Sequence, residues 1–184
     1  MAAQLKLQPT VLAGVCVLQP AQFEDHRGSF VKTFHEETFR SLGIPFAPRE
    51  EFFSISHKNV VRGMHFQKPP AAHDKLVYCP QGRVLDVVVD LRKRSQTFGR
   101  SFSRELSAAN REMLFIPIGF AHGFLALEEQ TMMVYQTSTV HAPAADAGIL
   151  WNSFGFDWPV TEPILSPRDQ GFPSLADFDS PFSV

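Results

Sequence analysis

The chain has 184 residues, 44% of them hydrophobic and 20% charged, with a formal net charge of -2. This is the composition of a folded globular protein with core enough for one domain, not of a disordered chain. It lacks the basic surplus that bulk neutralisation of nucleic-acid phosphates or an anionic membrane surface requires, so any phosphate contact has to come from a few placed Arg or Lys side chains.

The N-terminal apolar stretches are broken by Lys6, Gln8 and Pro9, so no secretory leader is read there. No run approaches the length of a membrane span. Cys16 and Cys79 are too few and too far apart for a disulfide framework or a zinc knuckle. They read as buried apolar fillers of strands. The expected setting is cytoplasmic, with neither nucleic acid nor membrane as a partner.

In chain order the pattern is mostly that of strands. "VLAGVCVL" is β-branched and predicts a strand that ends at Pro20. "GSFVKTF" alternates. Thr33 with Glu36 matches a capping box, predicting a helix over "EETFRSL" that stops at Gly43. "FFSISH" and "KLVYCP" follow, then a turn at "PQGR". "VLDVVVDL" is nearly continuous and apolar, as in a strand covered on both faces. "SFSRELS", "EMLFIPI", "HGFLALE" and "TMMVYQT" complete the set. Many short strands with a turn signal about every ten residues predict an all-β sandwich or barrel. The Pro-rich segment from about residue 152 to 184 reads as irregular, with one short helical turn after Ser166. It is too apolar for a free linker and is expected to pack on the barrel within a single domain spanning residues 1–184.

The chemistry concentrates in "RGMHFQKPPAAHDKL", where His65 and His73 precede Lys75. A metal-binding barrel commonly sets two His close together on one strand with a third nearby. Here His65 is followed by Phe66 and Gln67, so that pair is missing, and His122 is the best second candidate. Acid–base work fits the residue types better. A histidine removes a proton beside a ketone, a carboxylate holds its other ring nitrogen, lysine or a second histidine stabilises the enolate, and a tyrosine returns the proton. His65, Lys75, His122, Tyr135 and Asp169 supply one of each type.

Several segments together resemble one family. "FEDHRGSF", "VVRGMHFQKPPAAHDKLV", "GRVLDVVVDLRKRSQTFG", "LSAANREMLFIPIGFAHGFLAL" and "GILWN" occur in the order and at about the spacing of the dTDP-4-dehydrorhamnose 3,5-epimerases. The resemblance implies a cupin jelly roll with a few short helices, a homodimer, and an isomerase that uses neither metal nor cofactor. Its substrate would be a nucleotide-diphospho-4-keto-6-deoxysugar inverted at C3, C5 or both. By position, His65 resembles the general base and Asp169 its carboxylate partner. Lys75 and His122 resemble the groups around the ketone and enolate, and Tyr135 the acid on the opposite face. Arg27 and Arg62 resemble arginines that hold the nucleotide-sugar, and Gln67 belongs to the same R-G-x-H-x-Q motif.

The departures lie away from this set. Glu50 and Phe52 stand where the family commonly has Gln and Asn. Val140 and His141 stand where it has Tyr or Trp, Ser153 replaces an Asp, Lys32 replaces a Glu, and His73 replaces a Gln. His73 is therefore read as a loop or substrate-margin residue, while Glu50, Phe52 and His141 are expected on the substrate side, where they would change which ligand is accepted. Two alternatives stay open at this point: a non-catalytic or altered-specificity cupin that binds sugar nucleotides, and a metal-dependent cupin oxygenase or isomerase.

Overall fold

The computed structural model describes residues 5–184, so the first four residues of the N-terminal stretch lie outside it. Among the described residues the elements are Lys6–Pro9 (β1), Cys16–Gln19 (β2), Ala21–Asp25 (β3), Gly28–Lys32 (β4), Glu36–Ser41 (α1), Glu50–Ser56 (β5) and Val61–Gln67 (β6). They continue with Lys75–Gln81 (β7), Arg83–Asp90 (β8), Ser101–Ser107 (β9), Met113–Ile116 (β10), Phe120–Ala126 (β11), Thr131–Thr137 (β12), Asp146–Gly148 (β13) and Pro167–Gln170 (α2). Two antiparallel sheets form a jelly roll, one ordered β1-β2-β10-β7-β12-β5 and the other β13-β6-β11-β8-β9. β3 and β4 pair as a separate hairpin.

The central strands of both sheets are covered on both faces, while β1 and β5 at the edges of the larger sheet are largely exposed. Val77, Val84, Val88, Leu106, Phe124, Met133 and Tyr135 fill the space between them. On the outer side of the five-stranded sheet, Val61, Met64, Phe66, Val87, Val89 and Leu91 meet Trp158, Phe178 and Phe182 of the C-terminal segment. On the outer side of the six-stranded sheet, Leu18, Leu76, Met113 and Phe115 meet Phe39 of α1 with Ile44 and Phe46. The unbroken apolar run of β8 has this cause: alternate residues face opposite sides of a strand, and here both sides are dry.

Two local expectations are corrected. "VLAGVCVL" is not one strand: residues 11–14 turn, and only Cys16–Gln19 is extended. Gly14 takes a positive φ of 98°, which lets the chain reverse, while Leu12 and Val15 still bury themselves in the inner core. α1 does begin at Glu36, but its N-cap is His35, whose Nδ1 accepts the Thr38 N–H, and not Thr33. The capping-box spacing was met by a residue still outside the helix. Ser166 does cap α2, accepting the Asp169 N–H at 3.1 Å.

One contact sets the approach of β6 to β11. Gly63 has φ +141°, and a Cβ there would stand 2.6 Å from the Gly123 Cα. A Cβ on Gly123 would stand 2.7 Å from the Arg62 carbonyl oxygen. Neither glycine accepts a side chain, because both backbones pass where one would sit. The pairing skips a step between His122 and Phe124, and His122 faces His65 directly across the two strands. Gly63→Ala is expected to lower stability by about 3 kcal/mol, the scale of overpacking combined with a disfavoured φ. The urea midpoint, at unchanged m-value, measures it.

Candidate active site

Between the sheets lies a cavity of about 380 Å³, within the range of small-molecule sites. His65 and His122 reach it from β6 and β11 of the five-stranded sheet, and Lys75 and Tyr135 from β7 and β12 of the other sheet. Arg62, Gln67, His73, Glu50, Phe52 and Ser54 are among the other residues that line it, with His141, Asp146 and Arg168.

His65 Nε2 lies 2.8 Å from Asp169 Oδ1. Asp169 is 3% exposed and also accepts the Gly63 backbone N–H at Oδ2, 3.1 Å away. An ionised carboxylate only accepts, so His65 Nε2 carries the hydrogen and Nδ1 keeps its lone pair. Burial pushes the His65 pKa down, against the raising effect of Asp169, and Lys75 and Arg168 push the same way as burial. Burial alone would raise the Asp169 carboxyl, but the bonds from His65, Gly63 and Ser166 hold it below its ordinary value. A neutral imidazole beside a carboxylate, able to receive a proton on its other nitrogen, has the form a general base requires.

Lys75 is buried, and its Nζ donates to the His65 carbonyl oxygen at 3.1 Å. Burial brings its pKa down to about 8, with Asp146 and Asp86 opposing. His122 forms a second pair with its Nε2 2.8 Å from Asp86 Oδ2, both fully enclosed. Burial raises the Asp86 carboxyl, and His122 and Lys75 counter it. The two histidines therefore have one construction: each is held at Nε2 by a buried carboxylate, and they stand opposite each other in register. Lys75 and His122 bring positive charge or hydrogen-bond donors to a poorly solvated site, which is what a developing oxyanion needs. Tyr135 is 9% exposed, and its hydroxyl lies 3.2 Å from Ser54 Oγ.

The remaining sequence candidates fall into two groups. Arg62, Gln67, Glu50, Phe52 and His141 line the pocket, and Glu50 Oε2 accepts the His141 N–H at 2.6 Å. Arg62 is braced by Ser56 Oγ at 3.0 Å. Gln67 is a brace itself: its oxygen accepts the Ala142 N–H at 2.6 Å and its amide donates to the Ala71 carbonyl at 2.8 Å. Arg27 does not reach the pocket. It sits at the β3–β4 turn, 79% exposed in its side chain and paired with Asp25 at 2.6 Å.

His73, read as a loop or substrate-margin residue, sits in the segment before β7. It lines the pocket, its Nδ1 lies 3.1 Å from the Gln67 amide nitrogen, and burial brings its pKa down to about 3.

Asp86, Ser54, Asp146 and Arg168 were missed by sequence reasoning. Asp86 left a signal, a carboxylate between Leu85 and Val87 in the middle of an otherwise apolar strand. Arg168 is salt-bridged to Asp146 at 2.6 Å and left none beyond its place beside Asp169. Among the described residues no three His, Cys, Asp or Glu side chains converge as a metal-binding group. No described helix is long and apolar enough to cross a membrane.

Fold and pocket together define the class: a cupin jelly roll whose interior carries paired His–Asp groups, a buried lysine and a tyrosine. The family model for dTDP-4-dehydrorhamnose 3,5-epimerase matches residues 9–177, and the chain belongs to that family. The dTDP-4-dehydrorhamnose 3,5-epimerase of Escherichia coli K12 is 44% identical over 165 residues, covering 88% of this chain and 89% of the relative. That of Salmonella typhimurium is 41% identical over 170 residues, covering 90% and 93%. The crystal structure of the Bacillus anthracis dTDP-4-dehydrorhamnose 3,5-epimerase with TDP and PPi bound matches with a TM-score of 0.90 at 38% identity, over 92% of this chain and 99% of that one.

The acid limb of the kcat/KM profile is expected below pH 6.5, the ordinary histidine value from which burial moves His65 downward. The sign follows from the reacting form. A histidine serving as base must be neutral to take a proton, so activity is lost as it protonates, and a depressed pKa moves that loss to lower pH. A pH titration of kcat/KM at saturating buffer capacity measures it.

Proposed function

We propose that the chain epimerises a dTDP-linked 4-keto-6-deoxyhexose at C3 and C5 through an enolate, as a metal-independent isomerase. The observation that carries this reading is the placement of a neutral, carboxylate-bound His65 and a phenolic Tyr135 on opposite sheets around one cavity. Inversion needs removal of a proton on one face of the sugar and delivery on the other.

The C4 ketone acidifies the neighbouring C–H bonds. His65 Nδ1 takes a proton, and Asp169 supports the imidazolium that forms. Electron density moves onto the C4 oxygen, where Lys75 and His122 stabilise it. Tyr135 returns a proton from the other face. Arg62 and Arg168 offer guanidinium groups for the diphosphate, a geometry suited to its paired oxygens. Glu50, Phe52 and His141 shape the side on which the nucleoside enters. The family similarity supports dTDP as the carrier. The reading also includes a homodimer in a cytoplasmic setting. Among the described residues β1 and β5 each have a single strand neighbour, so both edges of the larger sheet are open to pairing.

In heavy water, the dTDP-linked keto-sugar is expected to gain deuterium at C3 and C5 as inverted product forms, read by NMR. His65→Ala is expected to lower kcat/KM by about 10²- to 10⁴-fold, the usual contribution of a positioned base. A sugar recovered unlabelled from the unmodified enzyme would refute the reading.

A further inference from the structure

The pocket face of β5 carries Glu50, Phe52 and Ser54 in alternation, and all three line the cavity. Phe52 is the direct cross-strand partner of Tyr135. Their rings stack with centroids 4.8 Å apart and planes 15° apart. Ser54, one pleat further along, places its Oγ 3.2 Å from the Tyr135 hydroxyl. On another side the His122 ring meets the Tyr135 ring edge-on at 6.2 Å. The phenol is thus held on one ring face, at one edge and at its oxygen. Phe52 is 46% exposed and Tyr135 only 9%, so the stacked Phe52 ring covers one face of a largely buried phenol.

Tyr135 has a difficulty as an acid. Burial pushes its pKa up, nearby Asp86 and Cys79 push the same way, and the Ser54 bond and Arg62 oppose them. Giving up the proton creates a phenolate in a dry site, where an unsolvated anion is costly. The group that touches the phenol oxygen decides how costly.

We infer that Ser54 and Phe52 are positioning residues for Tyr135, Ser54 by bonding the phenol oxygen and Phe52 by holding the ring plane. The inference rests on the epimerase reading above. In the reprotonation step the Tyr135 O–H bond breaks and a C–H bond forms at the enolate carbon. The C4 oxygen returns to a ketone, and the negative charge passes to the phenolate oxygen. Ser54 Oγ–H then donates to that oxygen. The extra proton on His65 leaves through water while the phenolate regains one, which closes the cycle. Phe52 keeps the phenol from turning toward the mouth, so the proton arrives from one direction.

The test compares two rates in heavy water with a dTDP-linked 4-keto-6-deoxyhexose. One is deuterium entry into recovered substrate that is not inverted, which reports removal and return of a proton on the His65 side. The other is formation of inverted product, which needs Tyr135. If the unmodified enzyme shows neither, the epimerase reading fails before this one is reached. Given turnover, Ser54→Ala is expected to lower the ratio of inversion to exchange about tenfold or more, as for a lost hydrogen bond to a charged oxygen. Ser54→Thr, which keeps the hydroxyl, is expected to restore it. Phe52→Ala is expected to lower the same ratio about threefold, the scale of an aromatic pair. The ratio reads only the active molecules, so a poorly folding variant does not shift it. A ratio unchanged in Ser54→Ala, or as low in Ser54→Thr as in Ser54→Ala, overturns the role of Ser54. A ratio unchanged in Phe52→Ala overturns that of Phe52.

Discussion

The hydrogen bond between His65 and Asp169 joins residues 104 positions apart, and much of the molecule is arranged so that it can form. Asp169 lies in a four-residue helix that has too few turns to stand alone. Its place is set by the segment around it. Trp158, Phe178 and Phe182 bury against the outer face of the sheet that carries His65. Ser166 caps the helix, and the Gly63 N–H takes the second carboxylate oxygen. Packing of the C-terminal segment and geometry of the base are therefore one problem: the apolar contacts that dry the sheet also deliver the carboxylate.

A second constraint acts at the two glycines that let β6 and β11 approach. Their closeness puts His65 and His122 side by side in register, each facing the cavity. Both use Nε2 on a buried carboxylate, yet the environments differ. Asp169 accepts hydrogen bonds at both oxygens, whereas Asp86 has His122 at one oxygen and a buried second oxygen without a partner. Its hydrogen bonds hold the carboxylate behind His65 below its ordinary pKa, whereas burial holds the one behind His122 above it.

The mouth of the pocket is organised separately from its floor. Glu50 ties β5 to the loop at His141, and Asp146 ties the nearby β13 to Arg168. These residues hold one another, and the charges of Asp146 and Arg168 are felt at Lys75 and that of Arg168 at His65. Glu50 and Phe52 both lie on β5, where the Phe52 ring stacks on Tyr135. Under the proposed mechanism, a substitution on β5 reaches the chemistry through the position of Tyr135.

Local patterns carried a good deal of this structure. The alternation and continuity of apolar residues named most strands, the doubly covered β8 among them, since which face a strand residue takes depends on its neighbours one and two steps away. The helix at Glu36 and the turn after Ser166 were legible for the same reason, though the cap at His35 was not. The types of residue in the pocket were legible too, through motifs in a recognisable order. What sequence left undetermined was who meets whom. Asp86 behind His122, Ser54 on the phenol, Arg27 on an exposed hairpin and the turn inside "VLAGVCVL" all depend on which strands pair and how closely they pass. Chain-local preferences do not encode those distances. They are decided when two sheets, a helix and the C-terminal segment bury their apolar faces together, and only then do residues far apart in the chain share a cavity.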